Sequence, residues 1–310
     1  MSSPFPVVLL GPQRFEPNLR EIIEPFAFDR PFALITAGWQ EREEEIQELD
    51  AHLQHQTIHL YLHQRSERLF ALHPDYRHEY RKRQSLLRRA QQLYSIQLEG
   101  VLEKARYLMR YPEESKLLEP AVTQSIQLVR QLDEMHQDQI RQIHREFRQA
   151  WPLSRLPRLQ AEREEIEQIL GRCCALLIAG GHVVVLLNRI RLFGVERHFT
   201  KMAVFGWSAG AMVLTDRIVL FHDSPPQGQG NPEILEQGFG LVPNLVALPH
   251  ASKRLRLNDP NRVALFARRF DPALCVALDP HTAIMWDGKQ LKALKPTRYL
   301  AVDGELGEVL

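Results

Sequence analysis

Between Gly38 and Gly171 the chain carries a single glycine, Gly100, and the stretch is dense in Gln, Glu, Arg and Leu. Glycine and proline punctuate turns, so a glycine desert of roughly 130 residues leaves long helices as its natural structure. Its apolar residues recur at alternating steps of three and four. Leu87, Ala90, Tyr94, Leu98, Val101, Ala105 and Leu108 make one such stripe, and Val122, Ser125, Val129, Leu132, His136, Ile140, Ile143 and Phe147, two polar members included, make another. That spacing puts each set on one helix face. Pro74, Pro112 and Pro152 divide the zone into about three long helices.

The flanks have a different texture. Residues 6–10 are an apolar run ending at Gly11-Pro12, and residues 32–36 are another ending at Ala37-Gly38. Short apolar runs closed by glycine suit strands covered on both faces, as in a parallel sheet. Beyond residue 171, strand candidates follow at 175–178, 202–205, 217–221, 245–248, 274–278, 283–286 and 298–302, with a helical segment at 261–270. Strands alternating with helices indicate an α/β fold with a mainly parallel sheet. A parallel crossover needs only about a dozen residues, so most of the glycine-poor zone is an insertion. The expected organisation is a sheet domain from 1–40 and 171–310, with a helical hairpin or small bundle from 41–170 projecting from it.

Bulk properties narrow the function classes. With a net charge of +1 over 310 residues, nothing draws the whole chain to nucleic acid or an anionic membrane. No apolar stretch is long enough to span a bilayer, and the run at 6–10 lacks the basic flank and cleavage site of a signal peptide, so it reads as a strand. Three cysteines, Cys173, Cys174 and Cys275, two of them adjacent, cannot make a disulfide framework. Free thiols in a reducing compartment, and a cytoplasmic location, are expected. His52, His55, His59 and His63 fall close to one helix face, but no carboxylate or cysteine cluster completes a metal site, so a polar face and no metal are expected. Tyr76, Arg77, Tyr80, Arg81, Lys82 and Arg83 form a basic, aromatic-dotted stretch of the kind that tracks phosphates. The acidic stretch from Glu41 to Glu48 offers it a partner within the bundle, and a bundle face or protein contact is favoured over nucleic acid.

The most informative local signal is Met202-Ala203-Val204-Phe205-Gly206-Trp207-Ser208-Ala209-Gly210-Ala211. An apolar strand runs into Gly-x-Ser-x-Gly and then a small-residue helix start, the pattern of a nucleophile elbow. Such a turn holds the Ser208 hydroxyl out at the carboxyl end of the strand. The following helix directs its first N–H groups there, so Ala209 N–H is a candidate oxyanion donor. Gly-x-Ser-x-Gly also occurs by chance in turns, and a serine needs a base oriented by a further group. His250 closes the apolar run 245–249, and Asp223 follows the run 217–221. These are the candidate base and orienting acid, against the blander readings of a loop histidine and a turn-initiating aspartate.

Several motifs then occur in a familiar order. Gly206-Trp207-Ser208-Ala209-Gly210-Ala211, Asp223 fifteen positions later, Gly238-Phe239-Gly240-Leu241-Val242-Pro243 leading to His250, Ile178-Ala179-Gly180-Gly181 and Asp279-Pro280-His281-Thr282-Ala283 together resemble the peptidase S51 family, the dipeptidase E and cyanophycinase-like serine hydrolases. The likeness spans residues 175–290, with a weaker match at 33–38. It implies a three-layer α/β/α flavodoxin-like sheet of the class I glutamine amidotransferase-like type, a Ser208–His250–Asp223 triad, and no cofactor. It further implies that Gly181 supplies the second oxyanion N–H and that Gly180 and His182 line the substrate site. The expected substrate is a small peptide or amide, cleaved next to an acidic residue through an acyl-enzyme. Arg254 and Arg256 fall where cyanophycinase-like members carry arginines, and a guanidinium suits a substrate carboxylate.

Departures from the pattern are His182-Val183 after the glycine pair, Ala251 after the histidine, and Pro280 where the family has Glu. They motivate an alternative of another class: a catalytically silent member that acts as a binding or scaffold protein. Its helices at 41–170 would then make a homo-oligomer or a protein contact.

Overall fold

The structure, a computed structural model, describes residues 5–112, 116–223 and 230–310. In chain order its strands are β1 (Val7–Leu10), β2 (Phe32–Ile35), β3 (Thr57–His59), β4 (Ala175–Ile178), β5 (Ala203–Trp207), β6 (Arg217–Leu220), β7 (Glu233–Gln237), β8 (Leu245–Pro249), β9 (Leu274–Leu278), β10 (Ala283–Trp286), β11 (Leu291–Lys295), β12 (Arg298–Leu300) and β13 (Leu306–Glu308). The α-helices are α1 (Leu19–Ile23), α2 (Gln47–His52), α3 (Leu62–Leu72), α4 (Pro74–Met109), α5 (Leu118–Ala150), α6 (Pro157–Arg172), α7 (Val183–Phe193), α8 (Ala209–Leu214), α9 (Ala251–Arg254) and α10 (Pro260–Phe270).

The apolar runs build the main sheet, ordered β11-β10-β1-β5-β4-β2-β3. Strands β1 to β5 run parallel, and β10 and β11 extend the sheet antiparallel beyond β1. Alternate residues serve opposite faces, as the pleat requires. Val7, Leu9, Ala33, Ile35, Leu176, Ile178 and Val204 enter one core with residues of α3, α6, α7 and α8. Val8, Leu10, Phe32, Leu34, Leu177 and Phe205 enter another with α1. Helix, sheet and helix thus form three layers, and the mixed α/β architecture with its long helical region matches the expectation. A second sheet, β13-β12-β9-β8, has β8 and β9 parallel. The short α8 touches both β5 and β8, so it bridges the two sheets.

Among the described residues the one strand in the glycine-poor zone is β3, a three-residue edge strand beside β2, and helices joined by turns make up the rest. Its centre is an antiparallel hairpin of α4 and α5, with Pro74 in the first turn of α4, where a missing N–H costs nothing. Rather than projecting into solvent, the hairpin lies along the body. Tyr94, Leu98, Leu102, Val122, Ile126 and Val129 share one core with Phe221, Ile234, Val246, Leu248 and α10. At its heart Arg269 of α10 is 3 % exposed. Its Nε and Nη2 donate to Asp133 on α5, both at 2.7 Å, Nη2 also reaches the Tyr94 hydroxyl on α4 at 2.7 Å, and Nη1 donates to the Pro232 carbonyl at 2.6 Å. A buried guanidinium with this many partners locks hairpin and body together.

Two sequence expectations in this zone need correcting. The four histidines share no helix face: His52 ends α2, His55 lies in a turn, His59 sits in β3 and His63 opens α3. No group of side chains suited to a metal ion occurs among the described residues. Nor do the acidic and basic stretches neutralise each other. Glu43 is buried against the start of α3, accepting from the His63 and Gln64 N–H groups at 2.9 Å, and Glu45 pairs with Arg42. Arg83 turns to Asn188 and the Tyr80 ring. Among the described residues no helix is long and apolar enough to cross a membrane.

Candidate active site

At the carboxyl ends of the parallel strands the chain turns sharply into loops and helices, the rim where open α/β sheets present reactive groups. Ser208 stands between β5 and α8 at φ 51°, ψ −119°. Holding a non-glycine residue at positive φ costs about 1–3 kcal/mol, and such strain persists where the surroundings over-determine it. Here they do. The Ser208 N–H donates to the Leu10 carbonyl at the end of β1, and its own carbonyl receives the Met212 N–H that starts α8. Two residues on, a Cβ at Gly210 would lie 2.0 Å from the Ile178 carbonyl oxygen. Only glycine lets α8 begin so close to β4.

The loop after β4 lies directly against this turn. A Cβ added at Gly180 would sit 2.8 Å from the Ser208 Cβ and 3.4 Å from the Ala209 nitrogen. Gly180, Ser208 and Ala209 are therefore one contact group. Gly181 is exposed beside them, and the following His182 N–H donates to the Gly38 carbonyl at 2.7 Å, tying the β4 loop to the end of β2. The His182 ring is exposed and caps α7, its Nδ1 accepting from the Val185 N–H at 3.5 Å.

His250 ends β8 in the left-handed region at φ 58° and heads α9. Its N–H donates to the Leu278 carbonyl at the end of β9. Burial lowers its pKa from the ordinary histidine value, Arg254 and Lys253 lower it further, and Asp279 opposes them. The imidazole is accordingly neutral at neutral pH, the form that can accept a proton. The Asp279–Thr282 turn brings this region against the serine rim: Gly11 N–H donates to the Thr282 carbonyl, and a Cβ at Gly11 would strike the Asp279 carbonyl. Leu10, one residue earlier, holds Ser208. The strand ends carrying Ser208 and His250 thus meet through β1 and β9.

Asp223 is engaged elsewhere. Its side chain is 1 % exposed and both oxygens are gripped by Arg262, with Nε at 2.5 Å from Oδ2 and Nη2 on Oδ1. Oδ2 also accepts from the Arg256 N–H at 3.1 Å, and the Asp223 N–H donates to the Arg254 carbonyl at 2.6 Å. Asp223 therefore fixes the segment that follows His250. Among the described residues no hydrogen bond joins Ser208, His250 and Asp223. The carboxylate whose charge bears on His250 is Asp279, held by the Ser252 N–H at 2.9 Å and the Ser252 hydroxyl at 2.5 Å. The sequence carried the signal for it, since Asp279 ends an apolar strand just as Asp223 follows one.

Comparison with known proteins agrees with this assembly of motifs. The sequence matches the family model of peptidase family S51 over residues 130–294, just over half of the chain, a span that holds Ser208, His250, Asp223 and Asp279. The chain belongs to peptidase family S51. No curated protein matches it. Among solved structures it is similar to a peptidase from an acI-B1 Actinobacterium, at 14 % identity and TM-score 0.43, covering 99 % of this chain and 98 % of that one. It is also similar to a protein assigned as peptidase E from Listeria monocytogenes EGD-e, at 18 % identity and TM-score 0.31, covering 43 % of this chain and 64 % of that one.

In this S51 chain the two arginines singled out in the sequence are both exposed. The Arg254 guanidinium lies 5.8 Å from the Phe221 ring centre. Neither side chain has a carboxylate partner among the ion pairs of the described residues.

Proposed function

We propose that the chain is a serine-type peptidase or amidohydrolase with Ser208 as nucleophile and His250 as general base. The observation that carries this reading is the strained Ser208 backbone at the β5–α8 turn, wedged against the Gly180 loop. His250 takes the Ser208 Oγ proton as Oγ attacks the substrate carbonyl, and the N–H groups of Gly181 and Ala209 receive the developing oxyanion. Collapse breaks the C–N bond, and His250 returns the proton to the departing amine. Water, deprotonated by the same imidazole, then releases the acyl group and regenerates Ser208. We assign the orienting acid to Asp279, the carboxylate whose charge bears on His250, whereas Asp223 is clamped by Arg262 and the Arg256 N–H. Asp223 then acts as a positioning residue for the His250–Arg256 segment.

The guanidinium groups of Arg254 and Arg256, neither of them paired with a carboxylate among the described residues, support a substrate with a free carboxylate near the scissile bond, with Gly180 and His182 lining the pocket. The test is covalent labelling by a fluorophosphonate probe, together with hydrolysis of a panel of short aspartyl and glutamyl peptides. Ser208→Ala should abolish both while the circular dichroism spectrum stays unchanged. Labelling that survives in the variant sinks the assignment. A protein that neither labels nor hydrolyses favours the second reading, a silent scaffold, which the missing Ser208–His250 hydrogen bond keeps in play.

A further inference from the structure

The outer face of α4 carries an apolar stripe left exposed among the described residues. Leu86 is 52 % exposed, Leu93 59 %, Ile96 70 % and Tyr107 67 %. They lie opposite the buried face made by Tyr94, Leu98, Leu102 and Ala105. Leu86, Leu93, Gly100 and Tyr107 recur every seven residues, the interval at which a helix presents one seam to another helix. At 1.5 Å per residue the seam runs about 32 Å. Scattered exposed apolar residues need no explanation, but an aligned series on one helix marks an interaction surface.

Two details select the occupant. Gly100 sits in mid-helix, where glycine destabilises relative to alanine, yet a Cβ there would meet nothing within 4 Å. No described residue requires the glycine, whereas a close-packed second backbone does. The flanking charges are also self-complementary. Arg89 and Glu103 are both exposed, lie seven residues on either side of Ile96, and belong to no ion pair among the described residues. We infer that α4 of one copy packs antiparallel against α4 of a second copy about a two-fold axis near Ile96. Each Arg89 then faces Glu103 of the second copy, Ile96 meets its counterpart at the axis, and the missing side chain at Gly100 lets the second backbone approach. A parallel pair would set Arg89 against Arg89 and Glu103 against Glu103, which opposes it. The interface is isologous, as closed dimers require, and a net charge of +1 raises no global barrier to pairing.

Sedimentation equilibrium of the full chain tests this. The native protein should sediment as a dimer, and Ile96→Glu as a monomer with an unchanged circular dichroism spectrum. Arg89→Glu should raise the dissociation constant by roughly tenfold, because two symmetric ion pairs become repulsive contacts. Arg89→Glu combined with Glu103→Arg should bring it back to the native value. A native chain that stays monomeric at its highest soluble concentration overturns the proposal and assigns the stripe to a different protein. A dimer indifferent to Ile96→Glu overturns it as well, and failure of the charge swap to restore pairing overturns the antiparallel arrangement.

Discussion

Replacing Arg262 by Met removes the guanidinium that grips both oxygens of Asp223. The two side chains are 13 % and 1 % exposed, so Asp223 would be stranded in a nearly dry site with the Arg256 N–H, 3.1 Å away, as its remaining donor. Deleting one partner of a buried ion pair costs about 3–5 kcal/mol, because the other charge is left uncompensated. For a chain this long each kcal/mol lowers Tm by about 2–4 °C, so a drop of about 10 °C is expected. Replacing both partners, Asp223→Leu with Arg262→Met, removes the stranded charge and should recover most of the loss. Calorimetric melting of the two single variants and the double variant closes the cycle, and a coupling energy above about 2 kcal/mol is expected for groups in direct contact. An Arg262→Met protein that melts within a degree or two of the native one would refute the view of Asp223 as a clamped structural carboxylate. It would return Asp223 to the role of orienting acid.

Three further outcomes follow from the geometry. Asp279→Asn removes the one charge that favours the His250 imidazolium, so the acid limb of kcat/KM should move to lower pH while kcat falls. A limb that stays put or moves up would show that Asp279 does not act on His250. Gly180→Ala drives a methyl group to 2.8 Å from the Ser208 Cβ, and since displacements near 1 Å cost about 100-fold, labelling by a fluorophosphonate should slow by about that factor. A native labelling rate would mean that the loop does not bound the reacting position. Burial holds His59 at a pKa of about 4, with its Nε2 against the Thr36 hydroxyl at 2.6 Å and its Nδ1 without a partner. Below about pH 6.5 the unfolded chain takes up a proton that the folded chain resists, so stability should fall by about 2 kcal/mol at pH 5 and by about 3 once pH 4 is passed. Urea unfolding across this range should give a flatter curve for His59→Gln, and identical slopes for the two proteins would disprove the attribution.

What could be read from residues alone divides along a physical line. The parallel strands were legible because strands buried on both faces must be continuously apolar, and β1, β2, β4, β5, β8 and β9 are. Strands β7, β11 and β13, half-exposed and mixed in composition, offer no such run, and β3 has only three residues. The hairpin was legible from its stripes, but its packing along the body was not. Arg269, Asp133 and Tyr94 lie far apart in sequence, and each looks like an ordinary helix residue until the three converge. The strand-end placement of Ser208 and His250 was legible because each follows an apolar run. Asp223 closes one too, and nothing in its neighbourhood announces Arg262, which arrives from the next helix but one. Local sequence reports where a carboxylate sits, not which cation reaches it first.

Helix α10 has one foot in each half of the molecule. Arg262 in its first turn secures the segment behind His250, and Arg269 in its last turn is sunk between α4 and α5. Trimming the chain to a minimal catalyst by cutting away the hairpin would therefore strip the cover from a fully desolvated cation and from the apolar core around it. The truncated protein would be expected to aggregate or unravel at the very helix that steadies the histidine. The long arm is better regarded as a wall of the building than as a balcony.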